Sequence, residues 1–291
     1  MAILGILSLI VLGVMTQSLR IKKREDARIE VQQNVRAAGQ IIAQDLRSST
    51  LIHVWNADPT ACASGVPCSG SDQLAVLVVT GVLSRIPAAP GGAFSAATAT
   101  PVCDATGFEE GGLALLSNGP QVTLLRVSAI ESARDPTLPC SASNADLIHH
   151  EEDPISGTWG NSPYLLKADL ITYRTLPDPS DPARRLLFRS NGYDLHHPLP
   201  NGTGVVAFDI QSLSAEYGIP QDPADPSSRL VFFPTLEDAA NFLGPGYTAL
   251  PGGSETYVGK VLKAVRIRLM GFSPASAASA YTLTQTVELR R

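Results

Sequence analysis

An uncharged apolar run that continues into an amphipathic run constrains this chain more than any other feature. Residues 2–15 carry no charge, and residues 21–52 contain no proline and a single glycine, Gly39. Because proline and glycine are the usual helix breakers, the two runs predict one helix of about 50 residues, roughly 75 Å long. We expect half of this helix to lie in lipid and half to be covered on one side.

The first half, residues 1–19, is predicted to form the transmembrane half of the helix. Its large aliphatic side chains are Ile3, Leu4, Ile6, Leu7, Leu9, Ile10, Val11, Leu12 and Val14. A membrane-spanning helix needs about 20 apolar residues, so we expect the natural chain to begin upstream of Met1. A cleavable signal peptide fits less well, because the basic residues 20–24 follow the apolar run instead of preceding it.

The second half, residues 20–52, is predicted to be the amphipathic half of the helix. Apolar residues recur there at spacings of three and four, which places them on one helical face. They are Val31, Val35, Ala38, Ile42 and Leu46. We expect this face to pack on the rest of the chain. A coiled-coil stalk is the alternative, but it requires a heptad seam over more repeats than are present here.

The remaining residues, 53–291, are predicted to form a globular β-rich head with long loops, among them residues 86–110 and 129–163. Residues 73–79 form a continuous apolar run typical of a buried strand. Residues 282–290 alternate between threonine or glutamate and aliphatic side chains, which indicates a strand with one wet face. The predicted fold class is α+β: a long N-terminal spine helix, its apolar half in the membrane, packed on an antiparallel β-sheet head.

Several stretches resemble the type IV pilins and the pseudopilins of type II secretion, specifically the larger minor pilins. They are residues 32–38 and 45–47 on the helix, 261–269 and 281–291 at the C-terminal end, and, more weakly, 169–174. The resemblance implies a pilin-like fold, in which residues 1–19 are the filament-core half of the helix. It also implies a structural role in a filament, in assembly priming or at the tip. The family's Gly-Phe peptidase site and following glutamate are not in this sequence, and the resemblance places them upstream of Met1.

The same resemblance implies the partners and the location. The expected partners are other pilin or pseudopilin subunits, the inner-membrane assembly platform and the membrane. The expected location is the bacterial inner membrane with a periplasmic head, and the cell surface after assembly. The basic residues after the apolar run oppose this orientation under the positive-inside rule, although Glu25, Asp26 and Glu30 are interleaved with them.

All four cysteines lie beyond the helix, in turn-rich segments. Cys62 and Cys68 enclose a short loop that a disulfide could close, which would leave Cys103 to pair with Cys140, although three connectivities are possible. Disulfides favour an oxidising compartment. A zinc site is disfavoured, because its ligands are usually paired at tighter spacings.

No catalytic motif for nucleophilic, metal-dependent or nucleotide chemistry is present, so we predict no enzyme and no cofactor. The sequence His149-His150-Glu151-Glu152-Asp153 has metal-ligand chemistry, but it precedes Pro154 in a predicted loop and is interpreted as a solvated charge run. A net charge of -5 disfavours nucleic acid as a partner. The alternative function is a single-pass, membrane-anchored periplasmic ectodomain with binding or enzymatic activity.

Overall fold

The computed structural model describes residues 2–49, 73–87, 99–118, 122–150, 163–182, 184–191, 204–225, 227–249, 256–272 and 280–289. Its helices are α1 (Ala2–Ser48) and α2 (Leu236–Leu243). The strands that precede the centre of the chain are β1 (Gln73–Arg85), β2 (Ala99–Val102), β3 (Leu113–Ser117), β4 (Val122–Glu131), β5 (Asp146–His150) and β6 (Tyr164–Pro177). The later strands are β7 (Arg185–Asn191), β8 (Gly204–Phe208), β9 (Ile210–Pro220), β10 (Leu230–Phe233), β11 (Tyr247–Thr248), β12 (Thr256–Tyr257), β13 (Ala264–Gly271) and β14 (Tyr281–Glu288).

The predicted α+β fold class with a membrane-embedded helix half is wrong. The described residues are mostly antiparallel β-sheet, with 48% of them in strands and 25% in helices, arranged in two large sheets beside one long N-terminal helix. In the part of the chain that the structure describes, neither helix has both the length and the apolarity needed to cross a membrane.

Strand content was underestimated because segments predicted as loops contain strands. β2 lies within the predicted loop 86–110, and β5 lies within the predicted loop 129–163. Both strands are short and lack a clear alternating pattern, so only their pairing partners identify them. β2 pairs with β5, where Thr100 lies opposite Ile148, and β5 pairs with the second half of β4.

β6 is the central strand of the eight-stranded sheet. One side of it pairs with β1 over nearly its whole length, with a register shift between Val79 and Leu83. The other side pairs first with β3, where Ala168 lies opposite Leu113, and then with β7. The sheet therefore divides at β6 into one branch of β3, β4, β5 and β2 and another of β7 and β8.

The first branch curls until its last strand reaches the end of β1. Cys103 N donates to Arg85 O at 2.8 Å, and Asp104 N donates to Ser84 Oγ at 3.0 Å. This closure surrounds the smaller of two apolar cores. Its buried side chains are Ile86, Val102, Ala105, Phe108, Ala114, Leu116, Leu125, Val127, Ile148 and Leu165.

The second large sheet has four strands in the order β10-β9-β13-β14 and supports the second half of α1. Its register places Leu269 between Leu213 and Leu283 on the face that meets the helix. The opposite face of this sheet is exposed to solvent at β14, where Thr282, Thr284 and Thr286 are exposed. The larger core lies between this sheet, α1 and the β6 side of the eight-stranded sheet.

Candidate interaction site on helix α1

The two halves of α1 have different surroundings. We call residues 11–30 the projecting half, because every one of them is exposed except Ala27, which is half-buried. Its large apolar side chains are all exposed by about half or more: Val11, Leu12, Val14, Met15, Leu19, Ile21 and Ile29. Isolated exposed apolar residues are ordinary, but a contiguous set of this size marks an interaction site.

The packed half, residues 31–49, buries one stripe on the head. Val31, Val35, Ala38, Ile42 and Leu46 are each 2% exposed or less. These are the five residues whose spacing defined the apolar face in the sequence. Fully burying a large aliphatic side chain contributes roughly 1.5–3 kcal/mol, so this stripe alone attaches the helix firmly to the head.

One row of apolar residues in the projecting half lies on nearly the opposite side of the helix from the packed stripe. Each residue turns the helix by about 100°, so the direction of the packed stripe continues through Arg28, Arg24 and Arg20. Val11, Met15 and Leu19 recur at spacings of four on nearly the opposite side. This apolar row therefore points away from the head, whereas Val14 and Ile21 lie about 60–80° from the direction of the packed stripe. A row of arginines points along the head side.

Two glycines let the packed half approach the sheet closely. A methyl group on Gly39 would lie 2.7 Å from Leu283 Cδ2, and one on Gly271 would lie 2.5 Å from Val35 Cγ2. Both distances are shorter than van der Waals contact, so no larger side chain fits without movement. In the projecting half, a methyl group on Gly13 would have no neighbour within 4 Å.

An ion pair reinforces the place where α1 leaves the head. Arg184 binds Asp209 through two bonds, Nε to Oδ1 at 2.9 Å and Nη2 to Oδ2 at 3.1 Å. Asp209 joins β8 to β9 with a φ of 59°, and its carbonyl accepts from Phe272 N at 2.8 Å. The hydrogen-bonded Asp209 carboxylate raises the pKa of Arg184 above its ordinary value, and Glu30 of α1 adds to the effect.

A second polar cluster holds the C-terminal end of α1. Asp45 Oδ2 accepts from the hydroxyl of Tyr173 and, at 2.9 Å, from Nε of Arg189. Arg189 Nη1 also donates to Asn191 Oδ1 at 2.8 Å. Burial and then the Asp45 carboxylate raise the pKa of Tyr173, so its hydroxyl stays protonated and donates. This cluster joins α1 to β6 and β7 and fixes the direction in which the projecting half points.

At the C-terminal end of α1, serine hydroxyls donate to backbone carbonyls of the last turn. Ser49 Oγ donates to Leu46 O at 2.6 Å, and Ser48 Oγ donates to Asp45 O at 2.9 Å. Such serine caps satisfy carbonyls that have no intrahelical partner. The predicted end at residue 52 lies outside the described residues.

The structure places the remaining predicted site residues as follows. The backbone of Ile3, Leu4, Ile6, Leu7, Leu9 and Ile10 belongs to α1, but their side chains lie outside the described part. Cys103 and Cys140 form a disulfide with a Cα–Cα distance of 5.5 Å. Cys62 and Cys68 lie outside the described residues.

The histidine pair is divided between two environments. His149 Nε2 lies 3.6 Å from Glu131 Oε2 on an exposed strand surface, whereas His150 is buried on β5. Residues 151–153 lie outside the described part. Among the residues that the structure describes, no three histidine, cysteine or acidic side chains converge as metal ligands would.

Sequence reasoning missed several residues that position the helix. Asp45 was named only within the stretch 45–47 that resembles minor pilins, and Arg184, Asp209 and Gly271 were given no role. A signal existed for Asp45, because an acidic residue next to Leu46 of the apolar stripe needs a polar partner in the head. No local signal identifies Gly271, because its neighbours come from a distant helix.

Comparisons with protein-family models, characterised proteins and solved structures find no match to this chain.

Proposed function

We propose that this protein is a structural subunit, a minor pilin or pseudopilin, of a type IV pilus-like filament. The observation that carries the proposal is the projecting half of α1. Its exposed apolar residues have no partner among the described residues of the chain, and the row Val11, Met15 and Leu19 faces away from the head. Copies joined through these faces would keep their helices inside an assembly and their heads outside.

The rigid attachment of the packed half supports the same role. A filament transmits force only if each helix is held firmly by its head. The buried stripe, the close approach at Gly39 and the Asp45 cluster all provide such attachment. The function proposed is structural and not enzymatic, and it acts in assembly priming or at the tip.

The proposed partners are other pilin or pseudopilin subunits and the inner-membrane assembly platform. The proposed location of the head is the periplasm, followed by the cell surface after assembly. The Cys103–Cys140 disulfide supports this location, since disulfides persist mainly in oxidising compartments.

The test is filament incorporation of point variants in a deletion strain. Met15→Asp places a charge on the apolar face and should abolish incorporation, measured by immunoblotting of sheared surface filaments. Gln17→Asp is the matched control, because it adds the same charge two residues away on the head side and should leave incorporation intact. Both proteins should have the same cellular level and the same head stability.

Two outcomes would contradict the proposal. The first is that both variants behave like the native protein. The second is that the deletion strain retains normal piliation, motility, DNA uptake and secretion. Either result would favour the alternative of an anchored binding or enzymatic ectodomain.

A further inference from the structure

Among the described residues, four strands end the two large sheets, and β14 has the longest unprotected edge of them. The other three are β2, β8 and β10. β2 and β10 have four residues each, and β8 has five with a register shift, whereas β14 has eight residues in unbroken register with β13. Proteins usually protect a sheet edge by shortness, a bulge, proline or lysine. β14 has none of these features, so its edge is suited to pairing with another strand.

The backbone groups on this edge are identified by one hydrogen bond just beyond the strand. Leu289 N donates to Lys263 O at 2.8 Å. Backbone groups of an antiparallel strand point alternately to its two sides, and the register of β14 has no shift, so its odd-numbered residues bond to β13. The N–H and C=O groups that point to the open edge belong to Thr282, Thr284, Thr286 and Glu288. No strand of the described part pairs with them.

Helix α1 places two arginines beside the same edge. On the sheet, Val35 meets β13, and Gly39, about 40° further around the helix, meets Leu283 of β14. Arg36 and Arg47 lie about 60–80° beyond Gly39 in the same direction, and both are exposed. Their side chains therefore leave the helix on the side where the sheet ends at β14.

The charges of Arg36 and Arg47 have no partner in the described part of the chain. No residue three or four positions from either of them is acidic, so the helix itself supplies no ion pair. The two arginines are about 16 Å apart along the helix axis, and β14 is about 24 Å long at 3.4 Å per residue. Both arginines therefore fit within the length of the open edge.

From the open edge and the two free arginines we infer a binding site for an extended acidic segment of a partner protein. The segment adds to β14 as a fifth strand of the four-stranded sheet, and its backbone bonds to the edge groups of β14. Acidic side chains four to six residues apart on its helix-facing side span about 13–20 Å and pair with Arg36 and Arg47. The site is separate from the projecting half, and its partner goes beyond the filament contacts proposed above.

A second copy of this chain is a poorer occupant of the edge. Two β14 strands paired about a twofold axis would place both α1 helices on the same face of the joined sheet. Arg36 and Arg47 of one copy would then face Arg47 and Arg36 of the other, and these like charges repel. An acidic segment without a helix of its own avoids the repulsion and neutralises both charges, so electrostatic complementarity favours it.

The first test is binding of a labelled peptide to the full-length protein, measured by fluorescence anisotropy at low salt. The peptide Thr-Glu-Thr-Val-Thr-Glu-Thr-Val has hydroxyl side chains on one face and two glutamates on the other. Arg36→Glu combined with Arg47→Glu should weaken binding about tenfold, because two exposed ion pairs become repulsive. A peptide with lysines in place of the glutamates should prefer this variant to the native chain. Arg20→Glu combined with Arg24→Glu makes the same charge change on the projecting half and should have no effect.

The second test asks whether the peptide binds as a strand. Thr284→Pro removes an N–H that points to the open edge, where proline is compatible with an edge strand. It should abolish peptide binding and leave the melting temperature of the head unchanged. Thr284→Val keeps the N–H and is the matched control. Native binding by Thr284→Pro would overturn the inference, and if the proline lowers the melting temperature, the arginine variants decide.

Two further results would overturn the inference. The first is that the glutamate peptide does not bind the native chain at about 1 mM, a concentration that detects even weak association. The second is self-association of the native chain that Thr284→Pro abolishes and the peptide does not compete with, which would show that a second copy occupies the edge. Both results leave the proposed function intact, because filament incorporation is tested on the projecting half.

Discussion

The two halves of α1 share one helical backbone but differ in what stabilises them. The packed half has a buried aliphatic stripe, a glycine that admits the sheet and an aspartate bonded to Tyr173 and Arg189. The projecting half has the same kinds of residue, with Leu19, Gly13 and Asp26 all exposed. The same substitution can therefore be made in each half of α1. Comparing the two effects separates the contribution of the helix itself from the contribution of packing on the head.

The largest contrast is expected between two leucines. Leu46→Ala removes a fully buried side chain and should lower the free energy of unfolding of the head by about 2–5 kcal/mol. Leu19→Ala changes a side chain that is 61% exposed and should alter the free energy of unfolding by less than about 0.5 kcal/mol. Urea denaturation followed by circular dichroism measures both. Equal losses would mean that the projecting half packs on the head.

The same leucine pair should reverse its order in an association assay. Leu19→Ala is expected to weaken self-association of the full-length chain, because it removes part of the exposed apolar face. Leu46→Ala should leave the association of the folded protein unchanged. Sedimentation at a temperature where both variants remain folded provides the comparison.

The second contrast is between two aspartates. Asp45→Ala leaves the hydroxyl of fully buried Tyr173 and the guanidinium of Arg189 without their common acceptor, which should cost about 1–3 kcal/mol. Asp26→Ala removes an exposed carboxylate and should cost close to nothing in head stability. Combining Asp45→Ala with Tyr173→Phe should lose less than the sum of the two single changes. Strict additivity would argue against the hydrogen bond.

The smallest contrast is between two glycines. Gly39→Ala adds a methyl group against Leu283, and the clash should outweigh the gain in helix propensity by about 1 kcal/mol. Gly13→Ala meets no neighbour and should raise helicity without lowering the melting temperature. Adding Leu283→Ala should relieve the clash at residue 39. A Gly39→Ala protein that melts at or above the native temperature would show that the helix is not held close to the sheet.

Local patterns in the sequence determined the features that depend on near neighbours. The continuity of α1 follows from the lack of proline, and its packed side follows from Val31, Val35 and Ile42 at helical spacing. A helix is made of contacts between residues three and four apart, so a short window contains nearly all the information. The same window shows that the charges beginning at Arg20 limit the apolar run.

Only the tertiary structure decided the fold class and the residues that hold the helix. β2 and β5 pair across more than forty residues of chain, and the two branches of the large sheet are defined by which side of β6 each strand joins. Gly271 and Arg189 matter because they meet residues of α1 that lie far away in the sequence. Such contacts produce no periodic pattern in the sequence, because strand pairing and close approach depend on a distant partner segment as well as on the local one.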